Sequence, residues 1–235
     1  MNDKKIILRC ENITKRYKNL IAIDNVSLDI FEGETLGLAG KSGCGKTTLA
    51  SILLGLIQQD EGTVYFEEKD IRKFNRKQLK EFRERIQIIY QDSYAALDPR
   101  MSIYRILSEP LEIHHPELNK NQINGRIEEI LKDVGLSLEC LNKLPRQLSG
   151  GQRQRINIAR AIVNKPKLIV CDEIVSSLDV SIQNQILNLI TRLKKEYGLT
   201  CLFISHDISV LQYLSNRVIT MEEGHIAKYE NNIIY

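Results

Sequence analysis

The chain has 235 residues, 43% of them hydrophobic and 27% charged, and its 33 basic and 30 acidic side chains leave a net charge of +3. That length buries a sizeable core as one large domain or two lobes, and the charge balance gives no electrostatic argument for nucleic acid. Five scattered cysteines form no C-x-x-C pair, so neither a zinc site nor a disulfide framework is indicated.

In chain order, the first five residues lead straight into a β-like run at 6–10 and lack a signal-peptide core. No apolar run approaches the ~20 residues that span a bilayer, so a cytosolic chain whose membrane role comes through a partner is expected. Further short β-like runs occupy 26–30 and 63–66. The run 34–39 is apolar and ends at Gly40-Lys41-Ser42-Gly43-Cys44-Gly45-Lys46-Thr47, which matches G-x-x-x-x-G-K-[ST]. A helix-like run beginning with Thr48 and Leu49 follows. This setting suits a phosphate-binding loop. Glycines let backbone N–H groups curl around phosphate oxygens, and the helix N-terminus adds a favourable dipole. Lys46 can reach the β- and γ-phosphates of a nucleotide, and Thr47 can hold magnesium. Cys44, inside the loop beside Lys46, is either a reactive thiolate or a small buried side chain.

The basic-rich stretch 69–85 carries interleaved acids and is expected to be a solvated helical face. The strand 86–90 leads to Gln91, whose amide can reach magnesium or an attacking water. From about Ser102 to Val163 the pattern is helical, with Ile123, Ile127, Ile130, Leu131 and Val134 forming one apolar stripe. The pair His114-His115 is expected in a surface loop without a metal. Ser149 is a good N-cap for the amphipathic helix 153–163. The apolar strand 168–171 ends in Asp172 and Glu173. Buried carboxylates there need a compensating cation, and beside a phosphate loop the natural one is magnesium. Asp172 would orient its water shell and Glu173 would polarise the attacking water. A further apolar strand, 201–205, precedes His206, and a hairpin-like pair closes the chain around Gly224. Apolar strands alternating with helices argue a mainly parallel α/β core.

The sequence Leu148-Ser149-Gly150-Gly151-Gln152, about a hundred residues after the phosphate loop and shortly before Cys171-Asp172-Glu173, resembles that of an ATP-binding cassette (ABC) ATPase. The resemblance extends from Leu8 to Tyr229. It implies the ABC variety of the P-loop nucleoside triphosphatase fold, with a RecA-like core, an antiparallel β subdomain and an inserted α-helical subdomain. On that reading the core with its β subdomain covers 1–91 and 164–235, and the helical subdomain covers 92–163. The implied cofactors are ATP and Mg2+. In the family the signature faces a γ-phosphate held by the opposite subunit, a role carried here onto Ser149, Gly150, Gly151 and Gln152, so a dimer is implied. His206 matches the family's switch histidine. Asp179, in Ser176-Ser177-Leu178-Asp179, matches the loop coupling the two sites. Tyr17 stands where the family places an aromatic that stacks on adenine. Two departures stand out. Lys41 replaces a common acid, and Ile174-Val175 replaces a proline-containing turn after Glu173.

The stretch Gln91-Asp92-Ser93-Tyr94-Ala95-Ala96-Leu97-Asp98-Pro99-Arg100 resembles that of the peptide/nickel importer family. The wording from Cys171 to Asp179 is most similar to that of the second ATPase of nickel importers. Peptide-importer ATPases usually carry an extension beyond the last hairpin, whereas this sequence stops at Tyr235. Nickel uptake is therefore the main expectation and oligopeptide or dipeptide uptake the alternative, with a soluble ABC ATPase of DNA repair or translation a remote third. The implied partners are a second ABC ATPase subunit, two membrane permease subunits and an extracytoplasmic solute-binding protein, at the cytoplasmic face of the membrane. A permease helix is expected to dock near 91–105. There Tyr94, Leu97 and Met101 serve either that contact or the core of the helical lobe.

Overall fold

The computed structural model describes residues 5–18, 20–176 and 178–231. The N-terminal residues 1–4, Ser177 of the expected coupling loop and the expected terminus at Tyr235 lie outside the described residues. In chain order the elements are β1 (Ile6–Tyr17), β2 (Leu20–Phe31), β3 (Thr35–Ala39), α1 (Lys46–Leu53), β4 (Glu61–Phe66), β5 (Lys69–Asp70), α2 (Arg76–Arg85) and β6 (Ile86–Ile89). Then come α3 (Ile103–His114), α4 (Lys120–Asp133), α5 (Gly150–Ile162), β7 (Leu168–Asp172), α6 (Val180–Tyr197), β8 (Thr200–Ser205), α7 (Ile208–Leu214), β9 (Arg217–Glu222) and β10 (His225–Asn231).

Among the described residues the strands form two sheets. The larger has the order β10-β9-β3-β8-β7-β6 and is parallel apart from β10. Its central strands β3, β7 and β8 are buried along their whole length, which is why they read as continuous apolar runs. The smaller sheet, β2-β1-β4-β5, is antiparallel. β1 and β2 are each 12 residues long, far longer than the runs 6–10 and 26–30 expected from sequence. Register shifts interrupt their pairing, and Asn12 and Asn25 take φ of 51°. Asparagine tolerates this left-handed backbone, but each bulge breaks the period-two alternation that marks a strand.

Helices α3, α4 and α5 pack together around the stripe Ile123, Ile127, Ile130 and Leu131, all buried as the helical spacing implies. α2 is exposed apart from Phe82 and its flanks, matching the expected solvated face. One expectation needs correction. His114 ends α3, and His115 caps it. Both rings are largely buried against α2, with His114 Nδ1 3.7 Å and His115 Nε2 3.4 Å from the Glu84 carboxylate, rather than lying in a surface loop. No cluster able to hold a metal occurs among the described residues. Of the two roles left open for Leu97, the core is the one it takes: it is only 1% exposed, because the turn before it folds back on α5. Tyr94 stays exposed.

A buried ion pair sits where the two sheets join. Arg217, opening β9, donates to both oxygens of Glu34 at 3.0 and 2.9 Å and to the Asp29 carbonyl at 2.6 Å. Glu34 also accepts from the Phe31 amide, and the Arg217 guanidinium lies over the Phe31 ring. The Glu34 side chain is 3% exposed, so removing its partner strands a buried carboxylate. Arg217→Ala is expected to cost about 2–3 kcal/mol and lower Tm by roughly 4–10 °C, read by thermal unfolding. A shift within 1 °C, about the noise of such a scan, would contradict this account of the sheet junction.

Candidate functional site

The site forms where the parallel strands end. In register, Ala39 of β3 lies beside Ser205 of β8, Ile204 of β8 beside Asp172 of β7, and Cys171 of β7 beside Ile89 of β6. The residues that follow these strands therefore project from one edge: the phosphate loop, His206, Glu173 and Gln91.

The loop 40–47 has the backbone its glycines permit. A Cβ at Gly40 (φ 155°) would sit 2.6 Å from both Cys44 Sγ and the Met221 carbonyl oxygen. One at Gly45 (φ 108°) would sit 2.5 Å from the Ala22 carbonyl oxygen. Gly45 caps α1 without any side-chain bond, leaving the helix N-terminus open to an anion. Lys46 is buried, and its ammonium donates to the carbonyls of Gly40 (2.8 Å) and Lys41 (3.0 Å). The cation is thus held across the loop mouth. Cys44 is 8% exposed and packs in the core under the loop. The small buried side chain, not the accessible thiolate, is the reading that fits.

Opposite the loop, Thr47 Oγ1 donates to Asp172 Oδ2 at 3.2 Å. Burial raises the Asp172 pKa above its ordinary value; the Thr47 bond and Lys46 oppose this, and Glu173 adds to it. A buried carboxylate left in that state lacks a compensating cation, so the Thr47–Asp172 pair fits magnesium. Glu173 Oε1 lies 3.8 Å from Lys46 Nζ, and Glu173 Oε2 lies 3.2 Å from His206 Nδ1. The Glu173 backbone takes φ 47°, a strained left-handed turn for a non-glycine residue. The turn is secured without proline. Ile174 and Val175 plug into the core, Ser176 bonds back to the Glu173 carbonyl, and Gln154 of α5 donates to the Ile174 carbonyl at 3.0 Å. Gln91 donates to Ser176 Oγ at 2.9 Å, which aligns its amide beside Glu173.

A cleft of about 670 Å³ joins these groups. Ser42, Gly43, Gly45, Lys46, Thr47, Thr48, Gln91 and Glu173 line one part, and Tyr17, Leu20 and Ile21 line another. Tyr17 is 45% exposed, with the Lys15 ammonium 5.4 Å from its ring centre. Exposed apolar groups beside a phosphate loop suit a nucleobase. The hairpin turn at Glu223 and Gly224 closes the cleft's floor, where the Gly224 amide donates to the Cys44 carbonyl at 3.1 Å. Sequence reasoning assigned that turn no part in the site.

The signature residues do not join this cleft. Ser149 caps α5, accepting from the Gln152 amide at 3.3 Å while the Gln152 side chain accepts from the Ser149 amide at 3.0 Å. Gly150 and Gly151 open the helix, and Gly151 packs against Ile182 of α6. Asp179 caps α6 with its backbone alone. None of these lines the cleft beside the phosphate loop of its own chain.

Residues 23–176 match the family model described as ABC transporter. The chain belongs to the ABC transporter family. Among curated relatives, the oligopeptide transport ATP-binding protein OppF of Salmonella typhimurium is 46% identical across 88% of this chain and 62% of its own length. The protein of the same name from Haemophilus influenzae is 41% identical across 99% of this chain and 74% of its own length. The chain thus spans less than two thirds of the first of these. Among solved structures, the ATP-binding cassette MJ0796, described as a dimer in a post-hydrolysis state bound to ADP and Pi, superposes with a TM-score of 0.86 at 31% identity. That match covers 97% of this chain and 100% of the other. The cbiO1 protein of Clostridium perfringens, part of an ABC transporter complex, gives the same TM-score at 29% identity over 97% and 90% of the two chains. The ABC cassette fold is therefore shown. No helix among the described residues is long and apolar enough to cross a membrane.

Asp172→Asn removes the raised carboxylate. A raised folded-state pKa means that the folded protein holds the proton more tightly, so ionised Asp172 weakens the apoprotein above that pKa and ceases to do so below the ordinary carboxylate value. At neutral pH the variant is expected to melt about 2–4 °C higher without ligand and to lose the added stabilisation that magnesium with nucleotide gives. A lower apo Tm, or undiminished magnesium-dependent stabilisation, would contradict this assignment.

Proposed function

We propose that the chain is the ATP-binding and ATP-hydrolysing subunit of an ABC importer that energises the uptake of oligopeptides. The observation that carries the ATPase reading is that Lys46, Thr47 and Glu173 line one cleft while Asp172 bonds Thr47 and His206 bonds Glu173, so that Glu173 is flanked by a cation at 3.8 Å and an imidazole at 3.2 Å. In this reading Tyr17 stacks on adenine. Gly40 to Thr48 and the N-terminus of α1 bind the phosphates, with Lys46 on the β- and γ-phosphates. Thr47, Asp172 and Gln91 would hold Mg2+, which would supply charge neutralisation at the phosphoryl oxygens. Glu173 accepts a hydrogen bond from the attacking water and polarises it, and His206 orients Glu173 and reports on the γ-phosphate.

The placement of Ser149, Gly150, Gly151, Gln152 and Asp179 outside their own chain's cleft supports pairing with a second cassette, each signature serving the other's nucleotide. The dimeric state of the similar cassette MJ0796 supports the same reading. Two permease subunits and an extracytoplasmic solute-binding protein complete the assembly, with this chain peripheral at the cytoplasmic face. The exposed Tyr94 and Ala95 form the surface offered to a permease helix. The names of the relatives support oligopeptides as cargo. Nickel is the second reading, favoured only by the wording from Cys171 to Asp179. The cargo does not touch this subunit in either case.

Glu173→Gln is expected to keep ATP binding and to slow hydrolysis by roughly 10²–10⁴-fold, measured on the assembled transporter. Near-normal turnover would overturn the role of Glu173. The same assembly in vesicles is expected to accumulate oligopeptides and not Ni2+. Nickel accumulation without peptide would replace the cargo reading and leave the ATPase reading intact.

A further inference from the structure

The face of α5 turned inward is not uniformly apolar. Gln154 and Asn157 are each 1% exposed, set among the buried Ile156, Ile158, Ala159 and Ile162. Amides in such a place are costly unless they satisfy something that needs them. Each donates to a main-chain carbonyl of another segment: Gln154 to Ile174, just after Glu173, and Asn157 to Tyr90, just before Gln91, at 3.3 Å. One turn further on, Arg160 donates to the Ala96 carbonyl at 2.6 Å.

Arg160 is the unusual member. Its guanidinium is largely removed from water, makes no ion pair with a carboxylate among the described residues although Glu109 acts on it at longer range, and is bonded to a neutral carbonyl. An arginine so placed is an expensive way to fill space, since an apolar side chain of similar size would avoid the desolvation cost. What it holds is a small rigid unit. The Ala96 amide closes a turn onto the Asp92 carbonyl at 3.0 Å, and Asp92 Oδ1 accepts from the amides of Tyr94 and Ala95 at 2.8 and 3.1 Å. Leu97 anchors the far end of this unit in the core. The same helix grips the unit a second time. Arg153, seven residues and two turns earlier on α5, places its guanidinium 5.6 Å from the Tyr94 ring centre and bonds the Leu148 carbonyl at 2.5 Å.

We propose that Arg160 is a positioning residue that, with Arg153, fastens the turn 92–97 to α5, so that the permease-facing turn moves with the helix that begins at the signature. The proposal rests on the reading of the chain as an importer ATPase. It deepens that reading by naming the joint through which the signature helix passes motion to the permease. Movement of α5 carries Tyr94 and Ala95 with it, while Asn157 and Gln154 keep the same helix in touch with the ends of β6 and β7. Arg160 does not line the cleft beside the phosphate loop, so its loss uncouples uptake from hydrolysis rather than abolishing hydrolysis.

The test compares Arg160→Met and Arg160→Lys with the unmodified chain in the reconstituted transporter and, separately, as the isolated subunit. Arg160→Met is expected to keep hydrolysis within about threefold of the unmodified assembly while solute taken up per ATP falls on the order of tenfold, with part of it regained by Arg160→Lys, which retains the charge and N–H donors. In the isolated subunit, amide exchange over 92–97 is expected to quicken on the order of tenfold in Arg160→Met, with that of α5 unchanged. Hydrolysis and uptake falling by one common factor, or unchanged exchange over 92–97, would overturn the proposal. If Arg160→Met does not fold, Arg160→Lys decides, and coupling and exchange equal to the unmodified chain overturn it. A failed importer reading shows instead as absent hydrolysis or uptake in the unmodified assembly, where the exchange measurement still tests the joint.

Discussion

Four parallel strands that end level with one another set the chemistry of this molecule. β3, β8, β7 and β6 lie side by side although their ends are distant in sequence, and their hydrogen-bond register fixes where each stops. A parallel sheet sends every strand's carboxyl end to the same edge, so the segments leaving those ends converge there. Here they carry a glycine loop with a buried lysine, an imidazole, two carboxylates and an amide. A slip of one residue in β7 would turn Asp172 and Glu173 to opposite faces and dissolve the site. The buried apolar strands therefore do more than supply a core. They hold a charged cluster together, with separations of 3.2 to 3.8 Å, and that cluster is costly without a ligand. Asp172, with its raised pKa, and Glu173, with its left-handed backbone, are where the cost is visible.

The second organising element is α5. Its N-terminus presents the signature away from the chain's own cleft, and its inner face bonds the segments that follow β6 and β7. One rigid helix thus touches the turn that follows Glu173, the strand leading to Gln91 and the exposed turn around Tyr94. This arrangement gives the half-site a mechanical connection to the rest of an assembly. It also explains why Ile174 and Val175 stand where proline is common in the family. Core packing and Gln154 fix the turn that proline would otherwise restrict.

Much of the site was legible in the sequence because its parts are local. The phosphate loop needs glycines at fixed spacing, the acids must follow an apolar strand, and the capping pair Ser149 and Gln152 lies within one helical turn. The parallel core was legible from its unbroken apolar runs. What escaped was whatever depended on distant partners. Gln154, Asn157 and Arg160 read as the polar side of an amphipathic helix, since the carbonyls they hold are 20, 67 and 64 residues away. The pair Arg217–Glu34 joins residues 183 apart, and no local pattern marks it. Glu84 between two histidines was hidden for the same reason. The lengths of β1 and β2 escaped because bulges at Asn12 and Asn25 interrupt the alternation.

The central claim is that this cleft is half of a catalytic site, completed by the signature of a second cassette. The most direct measurement is the rate of ATP hydrolysis per molecule as a function of the concentration of the chain, alone and with its partner cassette. The account predicts a rate per molecule that rises with concentration and saturates as pairs form, with ATP-dependent dimers seen by sedimentation at the same concentrations. Full hydrolysis at a constant rate per molecule, in a range where sedimentation finds only monomers with ATP bound, would contradict it.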